Sequence, residues 1–158
     1  MSTPALRGIG ALPRTVPAPL TIPCAPARIL VVDDDPITGQ FLLAIGLREG
    51  YQVVSVADGR QAFRMLKSDA GFAAAVFNVP MPNLNGVDLV RYMKTEKRLM
   101  RIPVVIVAGG HGLKLIADSF AAGALAFLPK PFTTEKLACT VRLAIGSGMM
   151  RKTQQADI

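Results

Sequence analysis

Three aspartates, Asp33, Asp34 and Asp35, stand together directly after the apolar run Ile29-Leu30-Val31-Val32. Adjacent carboxylates at the end of a buried segment repel one another unless a cation compensates them. Mg²⁺ is held by one or two carboxylates together with waters and phosphate oxygens, and a lysine can neutralise the same charges. Lys130, in Phe127-Leu128-Pro129-Lys130-Pro131-Phe132, closes another short apolar run and is a candidate for that role. A third run, Ala73 to Phe77, leads into Asn78. Its neutral amide oxygen is a far poorer nucleophile than a carboxylate would be. A fourth run, Pro103 to Val107, leads into Ala108, whose side chain has no donor.

The elements between these residues follow from spacing. Arg28 to Val32 suits a strand buried on both faces. Asp35-Pro36 supplies an N-cap followed by proline at the first helical position. Ile37, Phe41 and Ile45, with Ala44 and Leu47 beside them, carry a helix to about Glu49, and Gly50 ends it. Gln52 to Val56 is a second strand. Asp58 caps a helix with Ala62, Met65 and Leu66. Ala73 to Phe77 is the third strand, followed by a helix with Val87, Val90 and Met93 on one side. Pro103 to Val107 is the fourth strand, and Leu113 to Ala122 a helix closed by Gly123. Ala124 to Leu128 is the fifth strand. Thr133 caps a last helix bearing Leu137, Val141 and Ile145.

Five alternations of strand and helix predict a doubly wound α/β protein, a (βα)5 parallel sheet with helices on both faces. The flavodoxin-like strand order 2-1-3-4-5 is expected. Its crevice lies beyond the carboxyl ends of the strands, at the β1/β3 switch point. Asp33, Asp34, Asn78 and Lys130 all fall at such ends, so the topology should bring them together.

The 158 residues suit one domain, and apolar residues at 51% suffice for a core, although aromatics at 6% leave it to small side chains. Residues 1–27 hold six prolines and no acidic residue, and read as a disordered or polyproline-like tail. Residues 28–147 form the expected domain and 148–158 a C-terminal tail. No apolar run approaches a membrane span, and the N-terminus lacks the hydrophobic stretch of a secretory signal. Cys24 and Cys139 have no metal-ligand spacing and read as reduced thiols. Together these features point to a cytoplasmic protein. The net charge is +7, and Arg91, Lys94, Lys97, Arg98 and Arg101 cluster on and after the third helix. Such a group reads first as a solvated face, and second as a site for an acidic or nucleic-acid partner. His111, in Gly109-Gly110-His111-Gly112, reads as an exposed loop residue.

From Arg28 to about Gly146 the chain resembles the receiver domains of two-component response regulators. The resemblance rests on Val31-Val32-Asp33-Asp34-Asp35, Met81-Pro82-Asn83-Leu84-Asn85-Gly86 and Phe127-Leu128-Pro129-Lys130-Pro131-Phe132, in that order and spacing. It implies that Asn78 occupies the position of the phosphoacceptor aspartate. It also implies that Asp33, Asp34 and the Pro80 carbonyl form the acidic pocket and Mg²⁺ site. The loss of one formal charge at Asn78 leaves that site weak. Ala108 falls where the family has a Thr or Ser hydroxyl to contact the phosphoryl group. Lys130 falls at the family's phosphate-contacting lysine, in a Lys-Pro pair that is cis in the family. Phe127 falls at the aromatic switch position.

The resemblance therefore implies a non-enzymatic signalling protein, atypical in lacking both the acceptor aspartate and the switch hydroxyl. It would act through protein–protein contact with a histidine kinase, a phosphotransfer protein or another signalling protein, without an attached DNA-binding domain. Two rivals stand beside that reading. One is a phosphoacceptor that uses Asp33 or Asp34, and the other a nucleic-acid-binding adaptor.

Overall fold

The computed structural model describes residues 26–33, 36–79, 85–109 and 112–156. Five strands, β1 (Arg28–Val32), β2 (Gln52–Val56), β3 (Ala74–Val79), β4 (Val104–Ala108) and β5 (Ala126–Pro129), alternate with five helices. These are α1 (Pro36–Glu49), α2 (Gly59–Ser68), α3 (Gly86–Thr95), α4 (Leu113–Ala122) and α5 (Thr134–Ala156). The strands form one parallel sheet in the order β2-β1-β3-β4-β5, as the alternation predicts.

The side-chain alternation of the central strands divides the core in two. Leu30, Val32, Phe77 and Ile106 face α2, α3 and α4, packing with Leu66, Val90 and Met93. Ile29, Val31, Val76 and Val105 face α1 and α5, packing with Leu42, Ile45, Leu137 and Val141. Every residue of β3 and β4 is buried, which explains why both are apolar throughout except at Asn78. Edge strand β2 is only partly covered.

Local signals set the helix ends. Asp58 accepts from Gln61 N at 2.9 Å, while Gln61 Oε1 reaches back to Ala57 N at 3.0 Å, so both partners satisfy amides at the start of α2. Asn85 caps α3 by accepting from Val87 N, and Thr133 caps α5 by accepting from Lys136 N. Gly123 ends α4 with φ of 115°, and a Cβ there would stand 2.7 Å from Lys94 Cγ. The sequence therefore has glycine where both backbone and space demand it.

Several boundaries differ from the sequence reading. β3 runs on through Asn78 to Val79, so Asn78 lies within the strand and pairs with Val107. β4 begins at Val104, because Pro103 has no N–H to give the ladder; its carbonyl accepts from Ala75 N instead. β5 starts at Ala126, two residues later than expected. α5 continues to Ala156, nine residues past 147, where the sequence reading placed the end of the domain. In α1 the helix is as expected but its buried face is not. Thr38, Leu42, Ile45 and Gly46 are buried, while Ile37 is exposed and Leu47 is 89% exposed. A four-residue step turns about 40° round a helix, so Ile37 and Ile45 diverge. With apolar residues on all sides, the pattern of α1 could not choose its face.

Candidate functional site

The site forms where β1, β3, β4 and β5 end together. Val32 pairs with Phe77, so the next residues along, Asp33 and Asn78, stand side by side. Asn78 Nδ2 donates to Asp33 Oδ1 at 2.8 Å, inside the protein. Asp33 is 9% exposed and Asn78 5%. Only the amide nitrogen can donate to a carboxylate, so this contact fixes which way Asn78 is turned. The backbone holds the same corner: Asp33 N donates to Val56 O at 3.2 Å.

On the other side, β3 pairs Val79 with Ala108, and β4 pairs Ala108 with Pro129. Lys130 N donates to Ala108 O at 2.8 Å, which brings the base of the lysine to the same strand ends. The Lys130-Pro131 bond is cis. Ala108 is fully buried and brings no hydroxyl. Phe127 is partly buried and packs on the core beneath α2, α3 and α4. Asp33, Asn78, Ala108 and Lys130 are thus drawn to one end of the sheet from four strands.

Asp34, Asp35, Pro80 and His111 lie outside the described residues, as do the Met81-to-Leu84 part of the loop after β3, Cys24 and residues 1–25. Among the described residues no group of three or more His, Cys, Asp or Glu is arranged to hold a metal ion. Asp33 is the one described carboxylate of the acidic triplet, and one of its oxygens accepts from Asn78.

The basic group on and after α3 does not form a single patch. Arg91 pairs with Asp88 at 2.8 Å. Lys94 Nζ turns back to the carbonyls of Met100 and Ile102, both at 3.1 Å, where it secures the turn after α3. Arg98 Nη2 donates to Lys67 O at 3.0 Å. Lys97, Arg98 and Arg101 instead meet Arg28 at the far end of the sheet, a grouping that spacing along the chain could not reveal. Thr38, in the first turn of α1, was also not singled out from the sequence. It is buried, and its hydroxyl has no hydrogen-bond partner among the described residues. Cys139 is an exposed free thiol on α5. No helix among the described residues is long and apolar enough to cross a membrane.

Residues 29–142 match the family model of the response regulator receiver domain. Response regulator MprA of Mycolicibacterium vanbaalenii is 32% identical over 132 residues, covering 84% of this chain and 54% of that protein. The chain therefore spans about half the length of such relatives. Chemotaxis protein CheY1 of Helicobacter pylori is 27% identical over 121 residues, covering 76% of this chain and 98% of that one. Among solved structures, the receiver domain of sensor histidine kinase PA1611 from Pseudomonas aeruginosa superimposes with a TM-score of 0.69 at 27% identity. The match covers 77% of this chain and 99% of that one, which carries a magnesium ion coordinated in its active-site cleft. Chemotaxis response regulator CheY4 of Vibrio cholerae matches with a TM-score of 0.69 at 26% identity, over 75% of this chain and 98% of that one.

Proposed function

The chain belongs to the response regulator receiver domain family, and from that premise we propose that it signals by protein–protein contact, without phosphorylation at position 78. The hydrogen bond from Asn78 to Asp33 carries this reading. In a receiver that works by phosphoryl transfer, a carboxylate oxygen at this position attacks phosphorus and the acyl phosphate changes the domain's conformation. Asn78 removes the nucleophile. Its N–H also satisfies Asp33 internally, a task that two adjacent carboxylates would leave to a cation.

The same contact bears on Mg²⁺. Asp33, Asp34 and the Pro80 carbonyl are the residues that would hold the ion. Bound there, it would neutralise the acidic pocket and orient an incoming phosphate. To serve it fully, Asn78 must turn its amide away from Asp33 and present its oxygen. Even then the site lacks one negative charge, so binding is weak.

Loss of the switch hydroxyl at Ala108 points the same way, because a bound group shifts a conformational equilibrium only through contacts that differ between the two states. The rival acceptor Asp33 is nearly buried and has one oxygen engaged by Asn78. The partner is a histidine kinase, a phosphotransfer protein or another cytoplasmic signalling protein. It docks on α4, β5 and α5, whose surface includes the exposed apolar side chains Leu113, Phe120 and Leu143.

Intact mass after incubation with acetyl phosphate and Mg²⁺ tests the reading. The mass is expected to stay unchanged. A stoichiometric gain of one phosphoryl group, mapped to any residue of the acidic crevice, overturns it.

A further inference from the structure

All five strands are parallel, so their N-terminal ends lie at the side of the sheet opposite Asn78. A cavity of about 620 Å³ opens there. Its walls come from the start of β1, the segment before β3, the turn between α3 and β4, and the later part of α5. Arg28, Lys97, Arg98 and Arg101 line it, together with the apolar Phe72 and Ile145. No aspartate or glutamate is among the described residues that line it. Asp69, just outside, pairs with Arg28 at 2.8 Å, and the Arg28 guanidinium lies 4.5 Å above the Phe72 ring. The Lys67 carbonyl restrains Arg98. Lys97 and Arg101 make no ion pair among the described residues. Among the described residues, four cations against one carboxylate leave three positive charges around one concavity.

We propose that this cavity is a binding site for a nucleoside polyphosphate. Its phosphates are taken by Lys97, Arg98 and Arg101, and its base stacks on the Arg28 guanidinium, which itself covers the ring of the buried Phe72. The volume falls in the range of about 300–1,000 Å³ typical of small-molecule sites. Two of the three cations that face the phosphates are arginines, whose planar forks engage phosphate oxygens in pairs. Several positive charges around a low-dielectric wall concentrate an anion there. An extended nucleic acid fits less well. It needs a positive stripe, and Arg91 and Lys94, which would lengthen one along α3, are tied to Asp88 and to backbone carbonyls. Such a ligand would give the domain an input at the end of the sheet away from Asn78.

Isothermal titration of the full chain with ATP and with GTP, in low salt without Mg²⁺, tests the site. At least one nucleotide is expected to bind with a Kd of about 1 mM or tighter. The double variant Lys97→Ala/Arg101→Ala should weaken it about ten-fold or more. Lys114→Ala removes an exposed cation on α4, paired with Asp118, and should change nothing. In the unaltered chain, amide shifts on adding nucleotide should centre on Phe72 and the segment Lys97 to Ile102. Absence of binding at about 10 mM, an equal loss in Lys114→Ala, or shifts centred elsewhere overturns the proposal. Tripolyphosphate binding as tightly as the nucleotides would overturn the nucleoside part and leave a polyphosphate site. Tighter binding of a single-stranded oligonucleotide, lost in the same double variant, would assign the surface to nucleic acid instead.

Discussion

Asn78 Nδ2 and Asp33 Oδ1 lie 2.8 Å apart at the buried meeting point of β1 and β3, and they are 45 positions apart in the chain. A single atom type decides the chemistry of this contact. With nitrogen at that point the pair is a charge-assisted hydrogen bond, strong because it is dry. With oxygen it would be two carboxylates in van der Waals reach, stable only with a shared proton or a cation. The amide therefore removes a nucleophile and the need for a counter-ion in one change.

Asn78→Asp should accordingly make the fold depend on Mg²⁺. In EDTA the variant is expected to lose on the order of 1–3 kcal/mol, because a buried donor is replaced by a second acid. Added Mg²⁺ should recover much of that loss, while the unaltered protein should shift far less. Thermal melts with and without Mg²⁺ read both effects. Equal melting temperatures for the two proteins in EDTA would mean that the Asn78–Asp33 contact contributes nothing.

Restoring the acid alone should not restore switching. Ala108 is fully buried, so Ala108→Thr adds a hydroxyl and a methyl to a filled core and should cost about 1–3 kcal/mol. Despite that cost, Asn78→Asp with Ala108→Thr is expected to respond to beryllofluoride more fully than Asn78→Asp alone. Amide shifts from Gly112 to Phe127 give the readout. A complete set of shifts in the single variant would show that the hydroxyl is not limiting.

The Asp69 carboxyl is held below its ordinary value, first by the Gly71 N–H that it accepts and then by Arg28. A depressed acid contributes stability above its unfolded pKa, and that contribution is lost as pH falls through the folded value. Asp69→Asn should therefore lower the melting temperature slightly at pH 7 and make no difference well below pH ~4. The side chain is about one-third exposed, so solvent screening keeps the effect small. A difference that persists at pH 2 would place the role of Asp69 in its shape rather than its charge.

Gly123→Ala meets two obstacles, a left-handed backbone and the Lys94 stem under its Cβ. The backbone part costs about 1–2 kcal/mol, and the contact adds to it. In a Lys94→Ala background the contact disappears and only the backbone cost should remain. Denaturation midpoints of the four proteins in this cycle separate the two causes. Equal costs in both backgrounds would mean that the lysine yields freely.

The order of the elements was legible in the chain because each rests on near neighbours. Ile29 to Val32 reads as a covered strand, Asp58 and Thr133 read as caps, and Gly123 reads as a helix end. Each signal acts within a few residues. The chemical identity of position 78 was legible too, since an amide cannot become an acyl phosphate wherever it is placed. The α1 face was not legible. Apolar side chains surround that helix, and only the packing of Leu42 and Ile45 against the sheet, which leaves Leu47 in solvent, selects a side. The bond between Asn78 and Asp33 was also beyond the sequence, because it depends on the register of β1 against β3. So was the gathering of Arg28 with Lys97, Arg98 and Arg101. Residues far apart in the chain meet only when parallel strands align their ends, and that alignment is a property of the closed sheet as a whole.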